Sequence, residues 1–97
     1  MKLSLTQQAE QELVEGARFY AREVDVQLGQ DFIAGFERSA QLLLDQPHRG
    51  APWRGAIRRL PLRRFPYSII YVSTAEEVRV LAVAHQRRKP GFWRGRT

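Results

Sequence analysis

Two apolar runs separated by a short polar turn limit what this chain can become. Residues 65–71 read Phe-Pro-Tyr-Ser-Ile-Ile-Tyr and residues 78–85 read Val-Arg-Val-Leu-Ala-Val-Ala-His, with Val72 to Glu77 between them. β-branched and aromatic residues in such runs predict a β-hairpin. Both parities of each run are apolar. Tyr67, Ile69 and Tyr71 share one face and Ile70 and Val72 the other; Val78, Val80, Ala82 and Ala84 oppose Leu81 and Val83. A strand that is apolar on both faces belongs in the middle of a sheet, with cover on each side. The hairpin therefore requires two covers. One can come from helices. The other must come from the C-terminal tail, a second subunit or a partner chain.

The N-terminal half predicts the first cover. Lys2 to Leu5 alternates as a short edge strand would, and Thr6 is placed to cap a helix. Ala9, Leu13, Ala17, Tyr20 and Val24 then recur at spacings of four and three, an amphipathic stripe. Val26 to Gly29 interrupts it, with Gly29 suited to a helix terminus. A second helix is expected from about Gln30 to Leu44, with Phe32, Phe36, Ala40 and Leu43 as its stripe and Pro47 as its stop. Two helices so closely joined predict an antiparallel helical hairpin. His48 to Gly55 has loop composition. Ile57 to Leu62 reads as a strand that Pro61 makes irregular or places at an edge, and Arg63-Arg64 turns into the central hairpin. The expectation is one α+β domain over residues 1–97, in the order β-α-α-β-β-β. Its helical hairpin would pack on a mainly antiparallel sheet of three or four strands.

Charge adds a direction. Residues 1–48 carry four Lys/Arg against eight Asp/Glu, and residues 49–97 carry twelve against two, within an overall net charge of +6. Eleven of those twelve are arginine, whose planar fork suits phosphate and carboxylate and stacks on flat rings. The basic half thus predicts an acidic partner or a nucleic acid. The chain has no cysteine, which fits a reducing cytoplasm. Its apolar runs are too short to span a membrane, and its N-terminus lacks the pattern of a signal peptide.

No glycine-rich phosphate loop, nucleophile elbow or pair of acids in the sheet half is present, so no cofactor is expected. His48 and His85 have no ligand spacing, so no metal is expected either. What remains is a basic set: Arg58, Arg59, Arg63, Arg64, His85, Arg87, Arg88, Lys89, Arg94 and Arg96, interleaved with Trp53, Phe92 and Trp93. It suits phosphate binding and base stacking. It also suits a metal-free ribonuclease, with histidine moving the proton and arginines stabilising the phosphorane-like transition state. The same residues have plainer uses: His85 as a structural hydrogen-bonding group, the arginines as a solvated sheet edge, and Phe92 and Trp93 as packing.

The run Arg-Arg-Leu-Pro-Leu-Arg-Arg-Phe-Pro-Tyr-Ser-Ile-Ile-Tyr at 58–71, and Ala84-His85 followed by Lys89-Pro90-Gly91-Phe92-Trp93, resemble the RelE/ParE superfamily of toxins from type II toxin–antitoxin modules. The resemblance spans nearly the whole chain. It implies a bacterial cytoplasmic toxin and a cognate antitoxin whose acidic, partly disordered segment folds onto it. One branch cleaves messenger RNA on the ribosome; the other inhibits DNA gyrase without a nuclease site. If the chain is a ribonuclease, His85, Arg87, Arg88 and Arg59 are its catalytic candidates. Arg58, Arg63, Arg64, Lys89, Phe92, Trp93 and Arg94 are the candidate contacts for target or antitoxin. This sequence has Ser68 and Gln86 where the ribonuclease branch carries basic or catalytic side chains, and Pro61 near its lysine. The resemblance therefore leans to the ParE-like, gyrase-inhibiting branch. A binding module that has lost toxicity is the third reading.

Overall fold

The computed structural model describes residues 1–87, 91–93 and 95–96. Its elements are β1 (Lys2–Leu5), α1 (Gln7–Glu23), α2 (Val26–Asp45), β2 (Ala51–Arg54), β3 (Ile57–Pro61), β4 (Tyr67–Ser73) and β5 (Glu77–His85). They form one sheet in the order β1-β5-β4-β3-β2. All neighbours are antiparallel except β1, which runs parallel to β5. The α+β class and the helical hairpin are as expected, and β4 and β5 sit in the interior of the sheet as their two-sided apolarity requires.

Three expectations are corrected. The sheet has five strands rather than three or four, because Ala51–Arg54, expected to be loop, pairs with β3. Its pairing shifts register between Pro52 and Arg54, and proline is tolerated in this outermost strand because one side of its backbone needs no partner. Pro61, at the end of β3, lies past the reach of β2, whose pairing stops at Arg59.

The second correction is the start of α2. It begins at Val26, not near Gln30, because Asp25 caps it: the Asp25 carboxylate accepts from the Leu28 N–H at 2.8 Å. Gly29 is therefore inside the helix. Its role is close approach, since a Cβ there would lie 2.7 Å from the Ala17 carbonyl oxygen of α1. Val24, counted in the α1 stripe, is its C-cap and stands 63% exposed.

The third correction is the facing of β5. Ile70 pairs with Ala82 and Tyr71 with Val80, so Leu81 has no partner and forms a β-bulge. The bulge reverses the alternation. Val78, Val80 and Val83 join Ile69 and Tyr71 under the helices, with Ala9, Phe32, Phe36 and Leu43. Leu81, Ala82 and Ala84 join Ile70 and Trp93 on the other side, with Trp53, Ile57, Val72 and Phe92 against them. The second cover is thus the chain's own C-terminal segment together with Trp53.

Beneath the helices, Tyr20, Phe32, Phe65 and Tyr67 form a ring cluster with centroids 4.8 to 6.3 Å apart. Tyr71 is a pin between layers: its hydroxyl donates to the Pro47 carbonyl at 2.8 Å and accepts from the Gly50 N–H at 2.9 Å. This fixes the α2–β2 connection to the central strand. Burial pushes the phenols of Tyr20, Tyr67 and Tyr71 above their ordinary value of 10.0; the charge of Tyr20 adds to the effect at Tyr67, and Gly50 and Arg58 oppose it at Tyr71. These are all three tyrosines of the chain. A phenol whose folded pKa is raised contributes stability that is present below the unfolded value and lost as pH rises toward the folded one. Tyrosinate absorbance should therefore rise at higher pH in the folded protein than in the urea-unfolded chain. A reversible titration near the ordinary value with the dichroism intact would refute this.

Candidate functional site

Strand alternation decides which of the basic residues can meet. Arg58 pairs with Tyr71, Arg59 with Ile70 and Leu60 with Ile69. Arg59 therefore shares the tail-covered face with Ile70, while Arg58 and Leu60 point to the helix side. The guanidinium of Arg59 lies 5.0 Å over the Trp53 ring, and its Nε donates to the Ser68 hydroxyl at 3.2 Å. Ser68 is 4% exposed. Trp53 meets Trp93 edge to face at 4.9 Å. Around Arg59 a small cleft remains, of about 30 Å³, bordered by Ser68, Ala84, His85, Gln86 and both tryptophans. It has room for one water molecule.

His85 pairs with Tyr67, one register position from Ser68 and so on the opposite face. Its ring meets Tyr67 edge to face at 5.2 Å. Phe19, Glu12 and Glu15 of α1 border the hollow beside it. The backbone N–H of Arg87 donates to His85 Nδ1 at 3.1 Å. In the neutral ring the proton then sits on Nε2. Arg59 and His85 thus border one small cleft, but they belong to opposite faces of the sheet. Their strand positions explain why: adjacent residues along a strand face opposite ways.

The remaining site residues divide. Arg58 donates to the carbonyls of Gly50 at 2.8 Å and His48 at 3.2 Å, so it braces the connection that Tyr71 pins. Arg87 is exposed at the end of β5. Trp93, expected among the contact residues, is 1% exposed and belongs to the core beneath the tail. That is the packing use weighed for it from the sequence, as cover for an apolar sheet face. Phe92 packs against it at 5.2 Å. Arg88, Lys89 and Arg94 lie outside the described residues. Among the described residues no cluster of His, Asp and Glu could hold a metal ion, and no helix is long and apolar enough to cross a membrane.

Arg63 and Arg64 stand elsewhere, at the mouth of a groove between α2 and the β3–β4 connection, with Arg38 and Arg49. Arg64 pairs with Asp31 at 3.1 Å. That carboxyl is held below the usual carboxylate range, first by the Gln27 amide and then by Arg64. Arg38 was not legible as part of this set, because it lies in the acidic half of the chain. Its spacing three after Gly35 was the available signal, for it puts both on one helix face.

The sequence model of a family described as "ParE toxin of type II toxin-antitoxin system, parDE" matches residues 3–90. No curated protein matches the chain. Among solved structures, one titled "Chromosomal ParDE TA system from P. aeruginosa" superposes with a TM-score of 0.77 at 19% identity, covering 88% of this chain and 95% of that one. The likeness is one of fold.

Proposed function

The chain belongs to the ParE toxin family of type II toxin–antitoxin systems, and we propose that it arrests bacterial growth by inhibiting DNA gyrase in the cytoplasm until an antitoxin neutralises it. One observation carries the choice of target. Arg59 and His85 border one small cleft but belong to opposite faces of the sheet, and both are already engaged. Arg59 is held over Trp53 and by Ser68 on one face, and His85 is packed on Tyr67 on the other with Nδ1 accepting from the Arg87 N–H. General acid–base catalysis requires such groups within hydrogen-bond reach of one substrate. Ser68 and Gln86 border the cleft beside Arg59 and His85, and it has room for one water molecule. A non-enzymatic toxin needs only a folded binding surface.

The test combines purified toxin with gyrase and with a translating extract. Supercoiling should fail at near-stoichiometric toxin while translated messenger RNA stays intact, and His85→Ala should retain at least about a third of the inhibition. Cut messenger RNA, abolished by His85→Ala or Arg59→Ala, would favour the ribonuclease. Harmless overproduction without the antitoxin would mark a binding module that is no longer toxic.

A further inference from the structure

The groove beside α2 has a composition that nothing in the toxin's own packing explains. Its rim carries Arg38, Arg49, Arg63 and Arg64, and no carboxylate borders it. Among the described residues Arg64 is the one of the four in a salt bridge, to Asp31, whose charge also reaches Arg38. Its floor is apolar, with Leu42, Leu60, Leu62 and Phe65, and it holds about 310 Å³. That is room for one or two large side chains from a partner. Like charges gathered around an apolar slot repel one another, so the arrangement is relieved by an occupant that brings carboxylates.

Gly35 supplies a second, independent observation. It lies inside α2 and borders the groove. A glycine within a helix is unfavourable relative to alanine, and α2's other glycine, Gly29, has a steric reason to be there. So has Gly16 of α1, where a Cβ would lie 2.6 Å from the Phe32 ring. At Gly35 a Cβ would meet nothing closer than 3.8 Å, and its φ is not positive. Neither packing nor backbone conformation requires glycine at this position. What the missing side chain does is leave the groove open along one wall.

We propose that this groove is the docking site for an acidic amphipathic segment of the antitoxin, and that Gly35 is the residue that keeps it open. The proposal rests on the toxin–antitoxin reading above. The segment seats an apolar side chain on Leu42, Leu60 and Phe65 and sets carboxylates against the arginine rim, the helix-in-groove mode of recognition. A nucleic acid fits less well. Stacking needs an open aromatic face, and Phe65 is only 8% exposed, with the Arg64 guanidinium 5.4 Å from its ring centre.

The experiment measures binding of the purified antitoxin to wild-type toxin, Gly35→Ala, Gly35→Trp and Arg38→Glu/Arg63→Glu, each with its melting temperature. Gly35→Ala should raise the melting point by about 3–8 °C. Gly35→Trp should stay folded yet weaken antitoxin binding at least about tenfold, and so should the double charge reversal. Arg54→Glu, an exposed charge outside the groove, should change affinity by less than about threefold. Wild-type affinity in folded Gly35→Trp would overturn the proposal alone. Failure of the antitoxin to bind wild-type toxin at all would overturn the reading on which it rests. Binding of a labelled single-stranded RNA, abolished by the double reversal while antitoxin affinity is unmoved, would overturn it in favour of a nucleic acid.

Discussion

Trp93→Ala is expected to destabilise the toxin by about 3–5 kcal/mol, the range for truncating a fully buried aromatic residue. Trp93 heads the fully buried side chains by volume and is 1% exposed. It covers Ile70, Leu81, Ala82 and Ala84 and meets Trp53 and Phe92 edge to face. A domain of this size has only about 5–15 kcal/mol in total, so the substitution removes a large share. The melting point should fall by at least about 12 °C. The denaturant midpoint should fall in step. Four apolar residues of the sheet would also become reachable by water, so the variant should self-associate as it warms. Trp93→Phe keeps the ring and most of the cover, and should cost less than half as much. Trp53→Ala should also cost less, because Trp53 is only partly buried. A shift worth less than about 1 kcal/mol for Trp93→Ala, with a solvent-exposed emission spectrum in the wild type, would show that the tail does not cover this face.

How far the fold was legible follows from which signals are local. The helix stripes, the Thr6 cap and the central hairpin were legible because each is written in consecutive residues with one period. Thr6 does accept from the Ala9 N–H, at 3.1 Å. The bulge at Leu81 was not legible. It arises from a mismatch of register between β4 and β5, and no residue in either strand announces it. The extra strand at Ala51–Arg54 was hidden by Pro52 and by glycines on both flanks, which read as turn composition when no pairing partner is known. Asp25 was a readable cap, but Gly29 spoke more loudly, and a glycine needed for helix–helix contact looks the same in sequence as one that ends a helix.

The candidate site shows the same division. Arg59, His85, Trp53 and Trp93 could be named from the sequence, yet their sides of the sheet depend on the pairing of Ser68 with Ala84 and Tyr67 with His85. The groove was half legible. Arg63 and Arg64 stood out as a pair, whereas Arg38 and Arg49 reach the same rim from α2 and from the α2–β2 connection. Only the three-dimensional placement of α2 joins them.

The second large effect is expected at Glu12. The β1 strand pairs with β5 only as far as Val80, so beyond it the backbone of β5 lacks a strand on that side. Buried backbone groups need partners. The Thr6 hydroxyl donates to the Leu81 carbonyl at 3.0 Å, and Arg96 Nη1 donates to the same oxygen at 3.2 Å. One oxygen of Glu12 accepts from the Val83 N–H at 3.1 Å and from Arg96 at 2.9 Å. Both side chains are only 13% exposed, and the Arg96 guanidinium lies 5.0 Å over the Phe92 ring. A side chain from α1 and one from the chain's end thus do what a longer β1 would do, and they also clasp the tail that carries Trp93. Breaking such a pair from one side leaves the other charge buried without its partner, which costs about 3–5 kcal/mol. Glu12→Ala should reach the lower part of that range, because it strands both Arg96 and the Val83 N–H. Arg96→Ala should cost less, since the Val83 N–H keeps its acceptor and Thr6 keeps the Leu81 carbonyl. The double variant should cost less than the sum of the two, and that shortfall measures the pair. Glu12→Gln keeps an acceptor for both donors and should recover part of the loss. In Glu12→Ala, limited proteolysis should cut within the last dozen or so residues before it cuts the helices, because local opening precedes global unfolding where a clasp is lost. Cleavage at the same rate in wild type and variant would remove the clasp from the account of the tail.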